Sequence, residues 1–294
     1  MTKPSGTVLD GDGRPEGRGT GTGPRSTLAE NAATEGLHLG LVRWIGFRTI
    51  VLREYQRIIR IWTQTILPSA VTQALYFAIF GSLLGSRVGP MGGFDYMQYI
   101  APGLIMMSVN INSYSNVVSS FYGAKWGKHI EELLVSPLPS WLIVSGYVTG
   151  GLVRGLLVGI AVTGVSLLFT HLHVHHPLVI AGAVLLTAIT FALGGFLNAL
   201  FARNFDQVNI IPTFVLTPLN YFGGVFYSVS LLPHWARAIS YFNPILYMIN
   251  AFRYGFLGVS DVGVGTAFAI MGGAAVALFV LAIALMERGY GIRE

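Results

Sequence analysis

Six long stretches of this sequence contain no Asp, Glu, Lys or Arg. They cover residues 61–86, 96–124, 133–153, 155–202, 207–236 and 262–286. An α-helix rises about 1.5 Å per residue, so about 20 such residues cross the roughly 30 Å hydrocarbon core of a bilayer. Each stretch is long enough for one crossing, and the fourth holds most of two. The sequence therefore predicts an all-α integral membrane protein.

The composition also indicates that lipid is the main solvent. Of the 294 residues, 53% are apolar and 11% are charged, whereas soluble domains carry roughly 25% charged residues. The chain has no cysteine, which excludes a disulfide framework and a thiolate metal or redox site. Its net charge of +5 lies mostly beside the ends of the apolar stretches. Basic residues in that position indicate membrane topology, and we expect no nucleic-acid partner.

We predict six transmembrane helices, at about 64–86, 97–121, 141–170, 177–201, 209–228 and 263–285. Basic residues collect on one side of them, with Lys125 and Lys128 after the second, Arg203 after the fourth, and Arg288 and Arg293 at the end. Because cytoplasmic loops carry an excess of Lys and Arg, both termini are predicted to be cytoplasmic.

Two different segments precede the first predicted span. Residues 1–36 are rich in Gly, with Pro, Ser and Thr, and such a segment buries too little apolar surface to fold, so we expect a disordered cytoplasmic tail before a transmembrane domain at 37–294. Residues 37–62 mix aromatic and aliphatic positions with Arg43, Arg48, Arg53, Arg57 and Arg60. This pattern predicts a helix lying in the cytoplasmic interface, among membrane lipid headgroups. The alternative is an ordinary charge cluster that sets orientation.

Two connections between spans are more than simple turns. Residues 125–140 predict a short amphipathic cytoplasmic helix that is ended by Pro137 and Pro139. Residues 229–261 are too apolar and aromatic for an exposed loop, and Pro233 and Pro244 interrupt them. Irregular backbone at membrane depth needs protein or water around it. We therefore predict a re-entrant helical hairpin that dips in from the outer face.

This order of parts resembles the ABC-2 type permeases, the membrane subunits of ATP-binding-cassette exporters. The resemblance covers about 37–294 and is most specific in three stretches: Glu-Glu-Leu-Leu-Val-Ser-Pro-Leu-Pro within 129–140, Asn-Tyr-Phe-Gly-Gly-Val-Phe-Tyr-Ser at 220–228, and Tyr-Phe-Asn-Pro-Ile-Leu-Tyr-Met-Ile-Asn-Ala-Phe-Arg-Tyr-Gly-Phe-Leu-Gly at 241–258. It implies export across a bacterial cytoplasmic (inner) membrane by a homodimeric or pseudo-symmetric pair, with each copy seated on a separate ATPase subunit.

The chain itself is not expected to be an enzyme. It has no Gly-x-x-x-x-Gly-Lys-Ser/Thr loop to hold phosphates. We therefore expect no cofactor in this chain, and the resemblance places ATP and Mg on the partner ATPase.

The resemblance assigns ATPase coupling to the helix between the second and third spans. The residues that take this role are His129, Ile130, Glu131, Glu132, Leu133, Leu134, Ser136 and Pro137. Their chemistry suits docking, because Leu133 and Leu134 could fill an apolar groove while a glutamate pairs with a basic partner residue. The alternative is that Glu131 and Glu132 are solvated and offset nearby lysines.

The second span is unusually rich in Asn and Ser, and polar side chains at lipid depth face other helices or a water-filled path. In the family the second and fifth spans flank that path. Our candidates to line it are Asn110, Tyr114, Asn220 and Tyr221, together with Arg154 inside the third span. Interhelical hydrogen bonding that only holds the subunit together is the alternative, and Arg154 could equally pair with carbonyls or headgroups.

The aromatic segment before the last span suggests an outer gate that keeps ions from leaking. Its candidates are Phe226, Asn243, Pro244 and Arg253. Packing at an outer dimer surface is the competing interpretation.

Four histidines crowd the loop between the third and fourth spans: His171, His173, His175 and His176. Imidazoles this close are weak candidates for a metal site, because no carboxylate or thiolate lies beside them. We expect no metal.

The sequence thus predicts the permease subunit of an exporter. One alternative is a secondary transporter or channel that is not driven by ATP, which would place acidic residues at membrane depth. Asp95, Asp206 and Asp261 instead fall at predicted span ends. A membrane enzyme using the histidines is the other alternative.

Overall fold

A computed structural model describes residues 24–81 and 85–291, and within these ranges the chain is helical, as predicted. Among the described residues there is no strand, and Met91 and Phe94 form an isolated antiparallel bridge. The helices are α1 Pro24–Arg60, α2 Trp62–Ile79, α3 Gly85–Val88, α4 Tyr96–Trp126, α5 His129–Val135, α6 Ser140–Ser166, α7 Pro177–Phe201, α8 Phe205–Ile211, a π-helix Pro212–Leu216, α9 Thr217–Phe222, a 3-10 helix Val229–Leu231, α10 His234–Tyr241, α11 Pro244–Leu257 and α12 Val264–Glu287.

Three of these helices, α6, α7 and α12, are long and apolar enough to cross a membrane. They coincide with the third, fourth and sixth predicted spans. The first and second predicted spans correspond to α2 and α4, which carry more polar residues. The full count of six spans stays a prediction.

The fifth predicted span is not one regular helix, because it consists of α8, the π-helix and α9. Proline has no backbone N–H, so Pro212 cannot donate to the carbonyl of Val208 four residues earlier. The side chain of Asn198 on α7 donates to that carbonyl instead, at 2.9 Å. The sequence therefore places a stabilised irregularity within this span.

The start of the chain differs in part from the predicted division at residue 37. Helix α1 begins at Pro24, so the last part of the predicted tail is helical, and residues 1–23 lie outside the described ranges. By its contacts the chain forms two units, Met1–Trp44 and Ile45–Glu294. The contacts described below all lie within the second unit.

Helix α4 is the centre of the second unit, since most of its residues are buried and it packs against α2, α6, α7 and α11. Its approach to α7 requires glycine at position 195, where a Cβ would lie 2.5 Å from the carbonyl oxygen of Tyr114. Small residues at such positions let membrane helices pack closely.

Helices α10 and α11 occupy the segment predicted as a hairpin. The Asn243 side chain caps α11 by accepting a hydrogen bond from Ile245 N at 3.0 Å, and Pro244 takes the first helical position, where no N–H is needed. Gly258 ends α11 with φ of 71°, a left-handed conformation that glycine adopts without strain.

Candidate functional site

The predicted coupling helix is present as α5, close to its expected bounds. Lys128 precedes it with φ of 58°, a costly conformation for a residue with a Cβ, and turns the chain out of α4. Ile130 is buried, at 3% exposure, and belongs to the apolar core. The Ser136 hydroxyl donates to the Leu133 carbonyl at 2.5 Å and ends the helix. The core therefore anchors one face of α5.

The other face of α5 is exposed and carries Glu131, Glu132 and Val135. Val135 is 88% exposed, whereas Leu133 is partly buried against the chain's own core. Of the two apolar residues expected to face a partner, Leu133 thus packs partly inside this chain, and the side chain of Leu134 lies outside the described part of the structure. Pro137 is exposed after the helix.

The segment after α5 contacts α1. A Cβ at Gly46 would lie 2.5 Å from Leu138 Cδ2, so the absence of a side chain at Gly46 lets Leu138 sit directly on α1. This contact joins the loop that carries α5 to the basic helix before the first predicted span.

An ion pair within α1 is hydrogen-bonded to α4. Glu54 is 3% exposed, and its Oε2 lies 2.9 Å from Arg57 Nη2. Arg57 Nη2 also donates to Asn116 Oδ1 at 2.7 Å, and the Ser120 hydroxyl donates to Glu54 Oε1. Charges inside a protein are stable when they are paired and hydrogen-bonded, so this network fixes the end of α1 on α4.

The same side of α4 continues towards α2 with polar residues four positions apart. Asn112 donates to Ser69 Oγ at 3.1 Å, and Gln73 donates to Ser108 Oγ at 2.6 Å. We call the positions Ser108, Asn112, Asn116 and Ser120 the polar ladder. Because residues at i and i+4 share one face of a helix, the polar ladder connects α4 to α1 and α2 through hydrogen bonds.

The predicted path residues fall into separate environments. Asn110 donates to Asn220 Oδ1 at 2.7 Å, and both are buried, at 1% and 0% exposure. Tyr114 is also buried, and its hydroxyl has no hydrogen-bond partner among the described residues. Tyr221 is 43% exposed. In this subunit the two asparagines therefore link α4 to α9, and Tyr221 is the member of the set that faces outward.

Arg154 is partly buried on α6 and donates to Asn112 Oδ1 at 3.4 Å. Its Nε is buried and has no partner among the described residues. The guanidinium thus meets the polar ladder at Asn112, and its place in the path stays a prediction.

The predicted gate residues pack at the end of α4 opposite α5. Phe226 stacks on Phe80, with ring centroids 4.6 Å apart, and Tyr76 meets Phe226 edge-on at 6.1 Å. The Asn243 side chain donates to the Leu219 carbonyl at 2.6 Å. Aromatic packing and this hydrogen bond connect the α9 segment to α2 and α11.

Arg253 is the largest fully buried side chain, at 1% exposure among the described residues. It donates to the Tyr99 carbonyl at 3.3 Å, the Tyr99 hydroxyl at 3.1 Å and the Gly224 carbonyl at 2.7 Å. Its guanidinium carbon also lies 4.0 Å from the centre of the Tyr99 ring, a cation–π distance. One side chain thus joins α4, the turn after α9, and α11.

The histidine loop is held by its backbone. His175 N and His176 N both donate to the Gly255 carbonyl, at 3.0 and 2.9 Å, and the His176 ring stacks on Tyr254. The His171 carbonyl accepts a hydrogen bond from Gln98. Within the described ranges, no three His, Cys, Asp or Glu side chains converge as metal ligands.

Sequence reasoning missed Glu54, Tyr99 and Val135. An acidic residue three positions before Arg57, in an otherwise basic helix, is the available signal for the ion pair. No comparable signal exists for Tyr99, since its contact with Arg253 joins residues far apart in sequence. Val135 belongs to an apolar run, and only the structure distinguishes its exposed side.

Comparisons with known proteins agree with the geometry. Residues 46–257 match the family model described as ABC-2 type transporter. The chain is 52% identical over 251 residues to the inner membrane transport permease YadH of Escherichia coli (strain K12), covering 85% of this chain and 98% of the relative. It is 22% identical over 227 residues to nodulation protein J of Neorhizobium galegae, covering 77% and 86% of the two chains.

Proposed function

This chain belongs to the ABC-2 type transporter membrane family, and from that premise we propose that it is the membrane-spanning subunit of an ATP-driven exporter. A permease role follows from the family match and from the relative described as a transport permease. The proposal adds that a separate ATPase subunit, which holds ATP and Mg, supplies the energy, and that two permease copies form the translocation path.

The observation that carries the proposal is the two-sided character of α5. Ile130 anchors the helix in the core, while Glu131, Glu132 and Val135 project from the protein surface. An exposed apolar side chain flanked by carboxylates suits a partner groove that has an apolar floor and a basic rim. We propose that this face docks on the ATPase.

Two contacts give a route for motion of α5 to reach the membrane helices. Leu138 lies against Gly46 of α1, and α1 is tied to α4 through Glu54 and Arg57. A displacement of α5 would therefore act on α1 and α4 together. This linkage supports coupling between ATP-driven closure of the partner and rearrangement of the membrane helices.

The proposed topology has six spans with both termini in the cytoplasm of a bacterial cell. The relative from Escherichia coli is described as an inner membrane permease, and we extend that location to this chain. In this arrangement α5 faces the cytoplasm, and the cluster around Phe226 and Arg253 lies towards the outer face, as an outer gate.

A secondary transporter or channel is the competing function. Such a protein uses acidic side chains at membrane depth to couple ions. In the sequence, the acids considered for this role are Asp95, Asp206 and Asp261. Among the described residues the structure adds one buried acid, Glu54, which is already paired with Arg57. This pairing favours a structural role for Glu54.

Purification of the tagged full chain from its native membrane tests the proposal. We expect a nucleotide-binding subunit with a Gly-x-x-x-x-Gly-Lys-Ser/Thr loop to co-purify, and the complex to hydrolyse ATP. Replacing Glu131 and Glu132 together by Gln should reduce recovery of that subunit, whereas Asp206→Asn, an exposed acid outside α5, should not. Purification without any ATPase, combined with transport that survives ATP depletion, would contradict the proposal.

A further inference from the structure

A cavity of about 400 Å³ lies where the first turn of α4 meets the segments after α9 and α11. Its lining includes the Tyr99 ring, the buried Arg253 guanidinium and the exposed Asp261 carboxylate. Serine hydroxyls from Ser228 and Ser260 complete its polar wall. Neither the predicted coupling surface nor the predicted path includes this cavity.

The acidic wall of the cavity is held in place by the surrounding residues. Asp261 Oδ1 accepts a hydrogen bond from Ser228 Oγ at 2.7 Å, and Oδ2 accepts one from Val229 N at 3.2 Å. The Asp261 backbone N–H donates to Asn250 Oδ1 at 2.9 Å, and Asn250 is fully buried. The carboxylate is thus fixed, yet its side chain remains exposed.

The basic wall has hydrogen-bonding capacity to spare. All the acceptors that Arg253 meets are uncharged oxygens of Tyr99 and Gly224. A guanidinium has more N–H groups than these acceptors satisfy, and among the described residues the remainder have no acceptor. Glu54–Arg57 is the ion pair found in the described ranges. Arg253 and Asp261 therefore form no ion pair with each other, although both line this cavity.

From this arrangement we propose that the cavity binds a compact zwitterion, whose anionic group meets Arg253 and whose ammonium group meets Asp261. A simple anion would be repelled by Asp261, and a simple cation by Arg253. A neutral sugar would stack on an exposed aromatic face, but Tyr99, the aromatic residue of this lining, is only 3% exposed and has Arg253 against its ring. A single molecule that carries both a phosphate or carboxylate group and an alkylammonium group would pair with both Arg253 and Asp261.

Titration of the full chain, purified in detergent without phospholipid, tests this proposal. The probes are O-phosphoethanolamine and alanine, with ethanolamine and inorganic phosphate as single-charge controls, and binding is measured by isothermal calorimetry. We expect saturable binding of at least one zwitterion, and at least about tenfold weaker binding of each single-charge control, because each control loses one of two charged partners.

Asp261→Asn removes the charge at an exposed position and should weaken the zwitterion at least about tenfold. Asp206→Asn, an exposed acid on α8 far from the cavity lining, is the matched control and should bind as the parent does. Asp206→Asn should melt like the parent. Asp261→Asn should stay folded but melt somewhat lower, because its amide keeps one acceptor oxygen for the two hydrogen bonds from Ser228 and Val229. Absence of saturable binding by both zwitterions, or an unchanged affinity in Asp261→Asn, would overturn the proposal.

The zwitterion could be a free solute or the headgroup of a membrane lipid, and nanodiscs distinguish these sources. If lipid headgroups occupy the cavity, phosphatidylethanolamine nanodiscs should suppress O-phosphoethanolamine binding, whereas phosphatidylglycerol nanodiscs should not. If binding persists in both, the ligand is a free solute. This inference rests on the proposed function only for the side of the membrane that the cavity faces. Binding in detergent needs no ATPase, so the two proposals can fail separately.

Discussion

Arg57 on α1 reaches Asn116 on α4 at two atoms, the side-chain oxygen at 2.7 Å and the backbone carbonyl at 3.1 Å. Glu54, one turn earlier on α1, holds the same guanidinium at 2.9 Å. The carboxylate therefore compensates the charge, and the asparagine sets the position of Arg57 on α4. A basic helix that sequence patterns place at the membrane surface is thus attached to the centre of the fold.

Glu54→Gln should destabilise the protein by about 1–3 kcal/mol, because Arg57 loses a charged hydrogen-bond partner while remaining largely buried. Thermal unfolding of the detergent-solubilised chain measures this loss. Glu287→Gln changes an exposed glutamate at the end of α12 and should unfold like the parent. Equal melting temperatures for Glu54→Gln and the parent would show that the ion pair contributes nothing to stability.

Gly195→Ala should lower stability by about 1–3 kcal/mol, the usual cost of overpacking. The new methyl group would lie 2.5 Å from the backbone oxygen of Tyr114, so α4 and α7 would have to move apart. The neighbouring Gly194→Ala is the matched control, since its Cβ would lie 3.8 Å from the Tyr114 ring. If thermal unfolding shows that both variants melt alike, the close helix contact is not limiting.

Asn110 and Asn220 should show energetic coupling. Asn110→Leu and Asn220→Leu each break the hydrogen bond between α4 and α9, so the double variant should lose less stability than the sum of the single variants. We expect a coupling of about 0.6 kcal/mol, typical of membrane-protein hydrogen bonds. Strict additivity, together with altered transport in each single variant, would instead favour the path-lining role.

Val135→Ser should reduce co-purification of the ATPase by about five- to tenfold, because docking would no longer bury a full valine side chain. Val174→Ser makes the same change at an exposed valine, 59% accessible, in the loop between α6 and α7, and should leave recovery unchanged. Equal losses in both variants would point to a general defect, and no loss in either would remove Val135 from the docking face.

Sequence patterns predicted much of this fold for a physical reason. A helix that crosses a membrane needs about 20 residues without charge. The charge-free stretches therefore located α6, α7 and α12 within a few residues. The start of α11 was also accessible, because Asn243 and Pro244 carry the signals of a helix start. The end of the short helix α5 was placed by the two prolines that follow it.

What remained inaccessible depends on contacts between distant segments. Asn110 and Asn220 have the same polar character whether they face water or each other, and only the structure shows them paired. The burial of Arg253 follows from Tyr99 and Gly224, which no local pattern connects to it. The division of the fifth span likewise depends on Asn198 replacing the donor that Pro212 lacks.

The polar ladder of α4 also constrains how this subunit can deform. Successive residues of a helix are about 100° apart around its axis, so turning α4 by a single position would carry Ser108, Asn112, Asn116 and Ser120 away from α1 and α2 all at once. We therefore expect α1, α2 and α4 to move together, and bending to occur at the π-helical stretch Pro212–Leu216, where the regular α-helical hydrogen bonding is already interrupted.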